Sequence, residues 1–261
     1  MKSGAILRQR LSQGETVVGP FARFADPAAM EILGHVGFDF SVIDLEHSSL
    51  GLYQAQNLVR AGELTGLCPI IRVPENNSAW IARALDTGAG GVLIPQVESI
   101  EDAQRAVRAG RFHPQGQRGI CPYTRSSSYS KIPKQDYFSL ANEQAIIALL
   151  VEGQGGMKDI DAILELEGFD ILFVGPYDLS QSLGIPGQVT HEKVLSTVAD
   201  VARRARERGV ALGCFADDLD AVERWAKLGV QFLSTFLDTR IFYSATEGLI
   251  RDIRQRVESS E

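Results

Sequence analysis

The sequence predicts a (β/α)8 barrel, and three of its features support this fold. Short apolar runs alternate eight times with stretches of helical periodicity. Runs such as PIIRV at 69–73 and GVLIP at 91–95 are continuous, as in parallel strands covered by helices on both faces. The length of 261 residues, 44% of them hydrophobic, suits the roughly 250 residues that a single barrel core needs. A doubly wound open sheet is the alternative, but no glycine motif at a switch point favours it.

The eight predicted strands are short runs rich in Val, Ile, Leu and Phe, and glycine, proline or charged residues bound most of them. They lie at 17–24, 40–44, 68–73, 91–95, 146–152, 171–174, 210–215 and 232–237.

Helices are predicted in the intervals, and the residues at their ends fit helix caps. Asp26-Pro27 and Asn77 are suitable first residues, because their side chains accept hydrogen bonds from the first helical turn. Glycines that follow helical stretches as stops are Gly34, Gly66, Gly110, Gly168, Gly209 and Gly229. The predicted helices lie at about 27–36, 51–65, 77–88, 99–110, 157–167, 190–208, 217–228 and 240–257.

Residues 111–142 interrupt this alternation. The segment is rich in Pro, Gly, Ser and Tyr and has little periodicity, so it is predicted to be a long loop. A connection of this length is typical of a functional lid or an oligomer contact, with a solvated loop as the simpler interpretation. The whole chain, 1–261, is expected to form one barrel domain with this loop as an insertion.

Composition excludes several classes of partner. The net charge of -7 argues against binding to nucleic acid or to an anionic membrane, and no apolar run of about 18 residues is present to span one. The amino terminus has no apolar signal region. Cys68, Cys121 and Cys214 are far apart and lack zinc-ligand spacing, which fits a reducing compartment. We therefore expect a cytoplasmic protein.

Charged side chains gather where the predicted strands end. Asp44 and His47 follow the second strand, Arg72 ends the third, Glu152 the fifth, and Asp178 follows the sixth. The carboxyl ends of barrel strands share one face, which carries the active site. Taken singly, each has a structural interpretation: a helix cap for Asp178, a buried ion pair for Arg72, and a hydrogen-bonded scaffold residue for His47. Together they indicate a site.

These residue types suit the chemistry of 2-oxo acids. Glu152 and Asp178 offer two hard oxygen ligands to a divalent cation, Mg²⁺ or Mn²⁺, with Co²⁺ as a further candidate. Such a cation would act as a Lewis acid on a 2-oxo acid, and Arg72 would stabilise the enolate oxygen. His47, oriented by Asp44, would move protons. The predicted reaction is the making or breaking of a C–C bond next to a 2-oxo acid.

The remaining polar residue of the second strand end, Glu46, has no assigned role and is expected to be structural support that points away from its neighbours. Gly175 and Pro176 leave room for a substrate carboxylate near backbone N–H groups. Motifs of other enzyme classes, GxSxG, GxxxxGK[ST] and GxGxxG, are absent. No predicted strand ends in a lysine that would form a Schiff base.

Six motifs resemble one known family. They are IDLEHS (43–48), PIIRVP (69–74), GVLIPQVES (91–99), GQRGI (116–120), LLVEG (149–153) and FVGPYDLSQSLG (173–184). Their types and order resemble the HpcH/HpaI family of class II, metal-dependent pyruvate aldolases. The resemblance implies a barrel of the phosphoenolpyruvate/pyruvate type whose last helix is exchanged with a neighbouring subunit, in a homohexamer built as a trimer of dimers.

The resemblance also implies an activity and a set of roles. The expected enzyme is a carbon–carbon lyase that reversibly cleaves a 4-hydroxy-2-oxo acid to pyruvate and an aldehyde through a metal-stabilised enolate. Glu152 and Asp178 match its metal ligands, Arg72 its enolate-binding arginine, and His47 with Asp44 its acid–base pair. Asp86 matches a residue that reaches into an adjacent subunit's site; from the sequence alone it is a solvated helix end.

Some positions depart from the family pattern and leave alternatives open. Tyr177 stands where a small residue is usual, so it would narrow the pocket or bind substrate, and Leu150 stands where some members carry Gln. An acidic acceptor or product would suit Arg118 or Arg125. The alternative functions are a related lyase or synthase that uses oxaloacetate, such as a siderophore-type citrate synthase or a decarboxylase, and a non-catalytic binding protein.

Overall fold

The computed structural model describes residues 2–259 as a closed barrel of eight parallel strands, so the predicted fold is confirmed. Each strand pairs with the next in chain order, and β8 pairs with β1 to close the barrel. The strands are β1 (Val17–Ala22), β2 (Phe40–Asp44), β3 (Cys68–Arg72), β4 (Gly91–Ile94), β5 (Ile146–Val151), β6 (Ile171–Val174), β7 (Ala211–Ala216) and β8 (Phe232–Leu237).

Alternation along the strands divides the apolar residues into two cores. Val42 and Ile70 belong to the cluster inside the barrel, which also holds Phe40 stacked on Phe232 at 3.8 Å between ring centroids. Their neighbours in sequence, such as Ile43, belong to the larger cluster between the strands and the helices. Because side chains two apart share one face of a strand, this parity sends the polar side chains at the strand ends towards the barrel axis.

Twelve helices lie within residues 2–259. They are α1 (Lys2–Ser12), α2 (Pro27–His35), α3 (Leu52–Thr65), α4 (Ser78–Asp86), α5 (Ile100–Gly110), α6 (Lys134–Gln144), α7 (Gln154–Lys158), α8 (Ile160–Leu164), α9 (Pro176–Ser182), α10 (Glu192–Glu207), α11 (Leu219–Leu228) and α12 (Asp238–Glu258). Asp26 caps α2 and Asn77 caps α4, as predicted, and each side chain accepts from the first turn of its helix.

Three helical features differ from the prediction. The sequence did not predict α1, whose Leu7 and Leu11 pack into the inner cluster at the foot of the barrel. The prediction of a single helix at 157–167 was wrong, because α7 and α8 are separate short helices. The helix α9 follows β6 directly and was not among the predicted ones.

The segment 111–142 is not a loop throughout, which corrects the prediction. A 3₁₀ turn covers Arg125–Ser127, and α6 begins at Lys134. Tyr137 is fully buried, packs edge to face on Phe112 at 5.6 Å, and shares a 2.6 Å hydrogen bond with Ser126. A few aromatic contacts in this small cluster hold the segment. Few apolar positions therefore recur with helical spacing, and periodicity did not reveal α6.

The last helix, α12, lies mostly free of the barrel. Its contacts are with β1 and β8, near its first residues. Apolar side chains along it are exposed: Ile241, Phe242, Tyr243, Leu249, Ile250, Ile253 and Val257. None of the helices within residues 2–259 is long and apolar enough to cross a membrane.

Candidate active site

A cavity of about 610 Å³ opens at the carboxyl ends of the strands. Its lining combines an apolar floor from inside the barrel with charged or titratable side chains from seven strand ends. The lining residues are Phe21, Arg23, His47, Arg72, Leu150, Glu152, Phe173, Gly175, Pro176, Tyr177, Asp178, Phe215, Asp217, Leu237 and Arg240. The structure thus brings His47, Arg72, Glu152 and Asp178 to one cavity, as the sequence predicted.

Asp44 lies under this cavity and is fully buried between two guanidinium groups. The register pairs Asp44 with Arg72, whose Nε donates to Asp44 Oδ1 at 2.9 Å and whose Nη2 lies 2.8 Å from Oδ2. Arg23 Nε donates to Oδ2 at 2.9 Å. Burial alone would raise the pKa of Asp44, but Arg72, the backbone N–H of His47 and Arg23 hold it below its usual value. Asp44 is therefore an anchor for the arginines.

The orientation of His47 by Asp44 is not what the structure shows. Asp44 Oδ1 accepts the backbone N–H of His47 at 3.1 Å, whereas the imidazole Nε2 lies 3.7 Å from Glu46 Oε2. The imidazole is 58% exposed and faces the cavity. The predicted acid–base pair is corrected in this respect: Glu46, not Asp44, is the carboxylate beside the His47 ring.

Glu46 does not point away from its neighbours, because residues two apart share a face and Glu46 follows the parity of Asp44. Its Oε2 lies 3.0 Å from Arg72 Nη1, and its Oε1 accepts from Gln96 Nε2 at 3.3 Å. Gln96 has a φ of 59°, a left-handed conformation that is uncommon outside glycine and sets this contact at the end of β4. Burial raises the pKa of Glu46 above its usual value, although Arg72 and His47 oppose the shift.

Glu152 and Asp178 meet on the other side of the cavity, from the ends of β5 and β6. Burial raises the pKa of Glu152 to about 8, and the charges of Asp178 and Glu46 add to this effect. Neither Glu152 nor Asp178 forms an ion pair with any described residue. A Cβ on Gly175 would lie 2.7 Å from Glu152 Oε2, so a larger residue there would displace the Glu152 carboxylate. Two crowded carboxylates without a cationic partner have the chemistry of a divalent-cation site.

Tyr177 lies at the rim of the cavity beside Pro176, the first residue of α9. Its hydroxyl donates to Asp217, which follows β7, and this hydrogen bond with partial burial raises the pKa of Tyr177 to about 12. The phenol therefore stays neutral and narrows the opening. Leu150, the other departure from the family pattern, is buried in the floor.

Three residues singled out from the sequence lie outside the cavity. Asp86 is the last residue of α4 and accepts from Arg118 Nη2 at 2.6 Å. Arg118 is buried over the ring of Phe112, with its Cζ 4.6 Å from the centroid. Arg125 pairs with Glu63 and donates to the carbonyl of Thr87. None of the three faces the site in a single chain.

The sequence reasoning missed Arg23, Asp217 and Arg240. All three follow strand ends, so the criterion that found Arg72 and Glu152 applies to them as well. Arg23 was hidden because the first strand was extended to residue 24, whereas β1 ends at Ala22. Asp217 and Arg240 follow β7 and β8, and the same criterion applied at those strand ends identifies both.

A closed parallel barrel with a polar cavity at the carboxyl ends of its strands is the arrangement of a (β/α)8-barrel enzyme. Residues 18–245 match the profile of the HpcH/HpaI aldolase/citrate lyase family. The chain belongs to this family, as the sequence motifs indicated, and it is thereby a carbon–carbon lyase.

Two relatives are aldolases. The hydroxypyruvate/pyruvate aldolase of Roseobacter denitrificans is 33% identical over 249 residues, which cover 95% of this chain and 96% of the relative. The 5-keto-4-deoxy-D-glucarate aldolase of Citrobacter koseri is 35% identical over 234 residues and covers 89% and 90%.

Solved structures extend the comparison to other activities. Citrate synthase SbnG has 30% sequence identity and a TM-score of 0.87, and the match covers 97% of this chain and 98% of that one. The citrate lyase beta subunit of M. tuberculosis, solved with oxaloacetate and magnesium, is 17% identical with a TM-score of 0.55 over 89% and 96% of the chains. This second likeness concerns the fold alone.

Proposed function

We propose that the protein is a metal-dependent aldolase that reversibly cleaves a 4-hydroxy-2-oxo acid into pyruvate and an aldehyde. One observation carries the proposal: the unpaired carboxylates Glu152 and Asp178 share a cavity with the anchored guanidinium of Arg72. The names of the two aldolase relatives support the same reaction class.

Glu152 and Asp178 would hold the divalent cation, Mg²⁺ or Mn²⁺ or Co²⁺. When bound, it would act as a Lewis acid on the carboxylate and keto oxygens of the substrate. The raised pKa of Glu152 also fits, because a nearby cation would offset the burial and the repulsion that raise it.

Arg72 would stabilise the oxygen on which negative charge develops. Asp44 and Glu46 hold its guanidinium, and its Cζ lies 4.7 Å from the centre of the Phe21 ring. A donor fixed in this way needs no reorganisation when charge appears, which is the condition for electrostatic catalysis.

His47 would move the proton. In the cleavage direction the C4 hydroxyl loses its proton to the imidazole, the C3–C4 bond breaks, and its electron pair forms the enolate of pyruvate at C2 and C3. Return of the proton to C3 gives pyruvate, and no water is consumed. The exposed position of His47 and its proximity to Glu46, 3.7 Å away, suit such a transfer.

Gly175, Pro176 and Tyr177 would shape the substrate pocket, since all three line the cavity. We further propose that the protein is a homohexamer, a trimer of dimers, in which α12 is exchanged between subunits. The exposed apolar side chains of α12 support an exchange, because a partner would cover them. Asp86 would then approach the site of an adjacent subunit.

The experiment uses metal-loaded protein with 4-hydroxy-2-oxo acids and measures pyruvate with a coupled dehydrogenase. We expect pyruvate release that stops with EDTA and returns with Mg²⁺ or Mn²⁺. Activity that survives EDTA would rule out the metal assignment. No pyruvate from any hydroxy-oxo acid would rule out the aldolase.

A citrate synthase that uses oxaloacetate is the second candidate, and the likeness to SbnG across nearly the whole chain favours it. The same protein is incubated with oxaloacetate, with and without acetyl-CoA. Free thiol in the presence of both substrates, without pyruvate from hydroxy-oxo acids, would select this candidate.

A further inference from the structure

Arg23 and Arg240 both line the cavity, and neither has a role in the chemistry proposed above. Arg23 uses Nε to bind Asp44 and has no other side-chain bond among the residues described. The side chain of Arg240 forms no hydrogen bond or ion pair within residues 2–259, and its Cζ lies 5.6 Å from the centre of the Tyr243 ring. Two guanidinium groups with unused donors therefore face one side of the cavity.

The two arginines belong to one built unit. Asp238, which is buried, accepts the backbone N–H groups of Arg23 and Phe24 at 2.9 Å each through Oδ2. Arg240 lies two residues after Asp238 on α12. Near it, Phe24 packs edge to face on Phe242, with 5.9 Å between the ring centroids. The carboxylate of Asp238 thus joins the end of β1 to the start of α12 and keeps both arginines at the same part of the rim.

This part of the rim lies across the barrel from the proposed cation site. The strands follow each other in numerical order, so β1 is diametrically opposite β5, which ends at Glu152. A substrate whose reacting end lies at Glu152 and Asp178 extends its other end towards β8 and β1. Asp217, which follows β7, also lies at the rim and accepts a hydrogen bond from the Tyr177 hydroxyl. Its negative charge repels an anion from that side of the cavity.

The arginines that the sequence suggested for an acidic ligand are not available for one. Arg118 is bound to Asp86, and Arg125 to Glu63 and the carbonyl of Thr87, all outside the cavity. Besides Arg72, the arginines that line the cavity are Arg23 and Arg240. Guanidinium groups bind carboxylates through charge-assisted, often bidentate, hydrogen bonds.

We propose that Arg23 and Arg240 bind a carboxylate at the far end of the aldehyde, so that the enzyme selects acceptors that are themselves acids. This inference rests on the proposed aldolase function and adds its specificity. Arg240 is the cleaner residue to test, because Arg23 also supports Asp44 and, through it, Arg72.

The first experiment compares 4-oxobutanoate with butanal as acceptors for pyruvate in the aldol direction. In Arg240→Gln the ratio of kcat/KM for the acid to that for the neutral aldehyde is expected to fall by about 10- to 100-fold, mainly through KM. Arg240→Lys keeps the charge but loses the fork, so an intermediate ratio is expected. Circular dichroism checks that each variant is folded.

Arg224→Gln is the matched control. Arg224 also lies over an aromatic ring, 5.7 Å from the centre of Trp225, but it does not line the cavity. Its removal changes the net charge in the same way and also removes a contact with an aromatic ring, and the selectivity ratio should stay at the wild-type value. An equal ratio in the wild type and Arg240→Gln, with activity retained, would refute the proposal and leave the aldolase function standing.

A second measurement does not depend on turnover. Calorimetry with succinate, in the presence of Mg²⁺ and oxalate to occupy the reacting end, should show binding to the wild type and at least tenfold weaker binding to Arg240→Gln. If the wild type binds no succinate, or both proteins bind it equally, the rim is not a carboxylate site. If succinate binding depends on Arg240 but no acceptor reacts with pyruvate, the aldolase proposal fails and the anion site remains.

Discussion

The two ends of the barrel each hold a carboxylate between two arginines, yet only one of these clusters faces a cavity. Asp44 ends β2 at the carboxyl face, and Asp170 precedes β6 at the opposite face. Both side chains are at most 12% exposed, and both bridge elements distant in sequence. The difference between them lies in the donors that the arginines have left over.

At the amino face every guanidinium nitrogen of Arg111 has a partner. Asp170 accepts from Arg8 at 2.6 Å, from Arg111 at 2.7 Å and from the backbone N–H of Ile147 at 2.8 Å. The other donors of Arg111 bind the carbonyls of Gly168, Asn142 and Ala145. This cluster fixes the segment before β5 and leaves no guanidinium nitrogen of Arg111 for a ligand.

At the carboxyl face Arg23 keeps its two terminal nitrogens unused within residues 2–259, and the cluster borders a cavity. Arg23 and Arg72 anchor on Asp44 and still line the cavity, across from carboxylates without a cation. We infer that access to the cavity, together with the unused donors of Arg23, distinguishes the functional arginine cluster from the structural one in this protein, and that residue type does not. The predictions below test this distinction.

Arg111→Ala should give the largest effect, and it should be on stability. Removal of one partner from a buried ion pair leaves Asp170 poorly compensated, at a cost of about 3–5 kcal/mol in the free energy of unfolding. Urea unfolding measures the loss, and Arg203→Ala, which removes an arginine from an exposed ion-pair group on α10, serves as the control with no measurable change expected. The folded fraction should retain its kcat; a large fall in kcat at native stability would contradict the comparison.

Arg72→Lys should have the opposite effect, a loss of turnover with stability retained. The lysine keeps a cation beside Asp44 but loses the fork that also reaches Glu46 and the cavity. Loss of one such donor to a developing oxyanion costs about 10²- to 10³-fold in turnover. Initial rates of pyruvate release measure it, with urea unfolding as the check on stability. A variant with near wild-type rates would show that Arg72 is structural, like Arg111.

Glu152 should make the metal-free protein less stable as pH rises. Its pKa of about 8 in the folded state exceeds the ordinary pKa of a glutamate. Between these two values the folded state holds the extra proton, and the stability that this proton supplies is lost with increasing pH. A fall of a few degrees in melting temperature from pH 5 to pH 8 is expected, since 1 kcal/mol corresponds to about 2–4 °C in a domain of this size.

Two comparisons isolate the carboxylate responsible for this slope. Glu152→Gln, which does not titrate, should flatten it. Saturating Mg²⁺ should flatten it as well, because a bound cation favours the charged form. A slope that is identical in wild type and Glu152→Gln would place the titrating group elsewhere.

These comparisons also show what the sequence could predict. The alternation of apolar runs predicted all eight strands, and position at a strand end predicted Arg72, Glu152 and Asp178, because parallel strands of a barrel present their carboxyl ends on one face. Contacts that depend on the exact strand end or on side-chain rotamers were not predictable from periodicity. Arg23 was missed for the first reason, and the pairing of His47 with Glu46 for the second.

Tyr177→Phe should give the smallest effect, although Tyr177 lies in the cavity. Its hydroxyl already donates to Asp217, so it resembles the saturated donors of the amino face more than the free ones of Arg23. A net hydrogen bond contributes about 0.5–1.5 kcal/mol, so a change of about two- to tenfold in the KM of the acceptor is expected. With a pKa near 12 the phenol does not titrate at working pH, and the pH–rate profile should keep its shape. A loss of activity above 100-fold, or the loss of one limb of the pH–rate profile, would mean that Tyr177 takes part in proton transfer. In that case a donor that already has a partner could not be taken as structural.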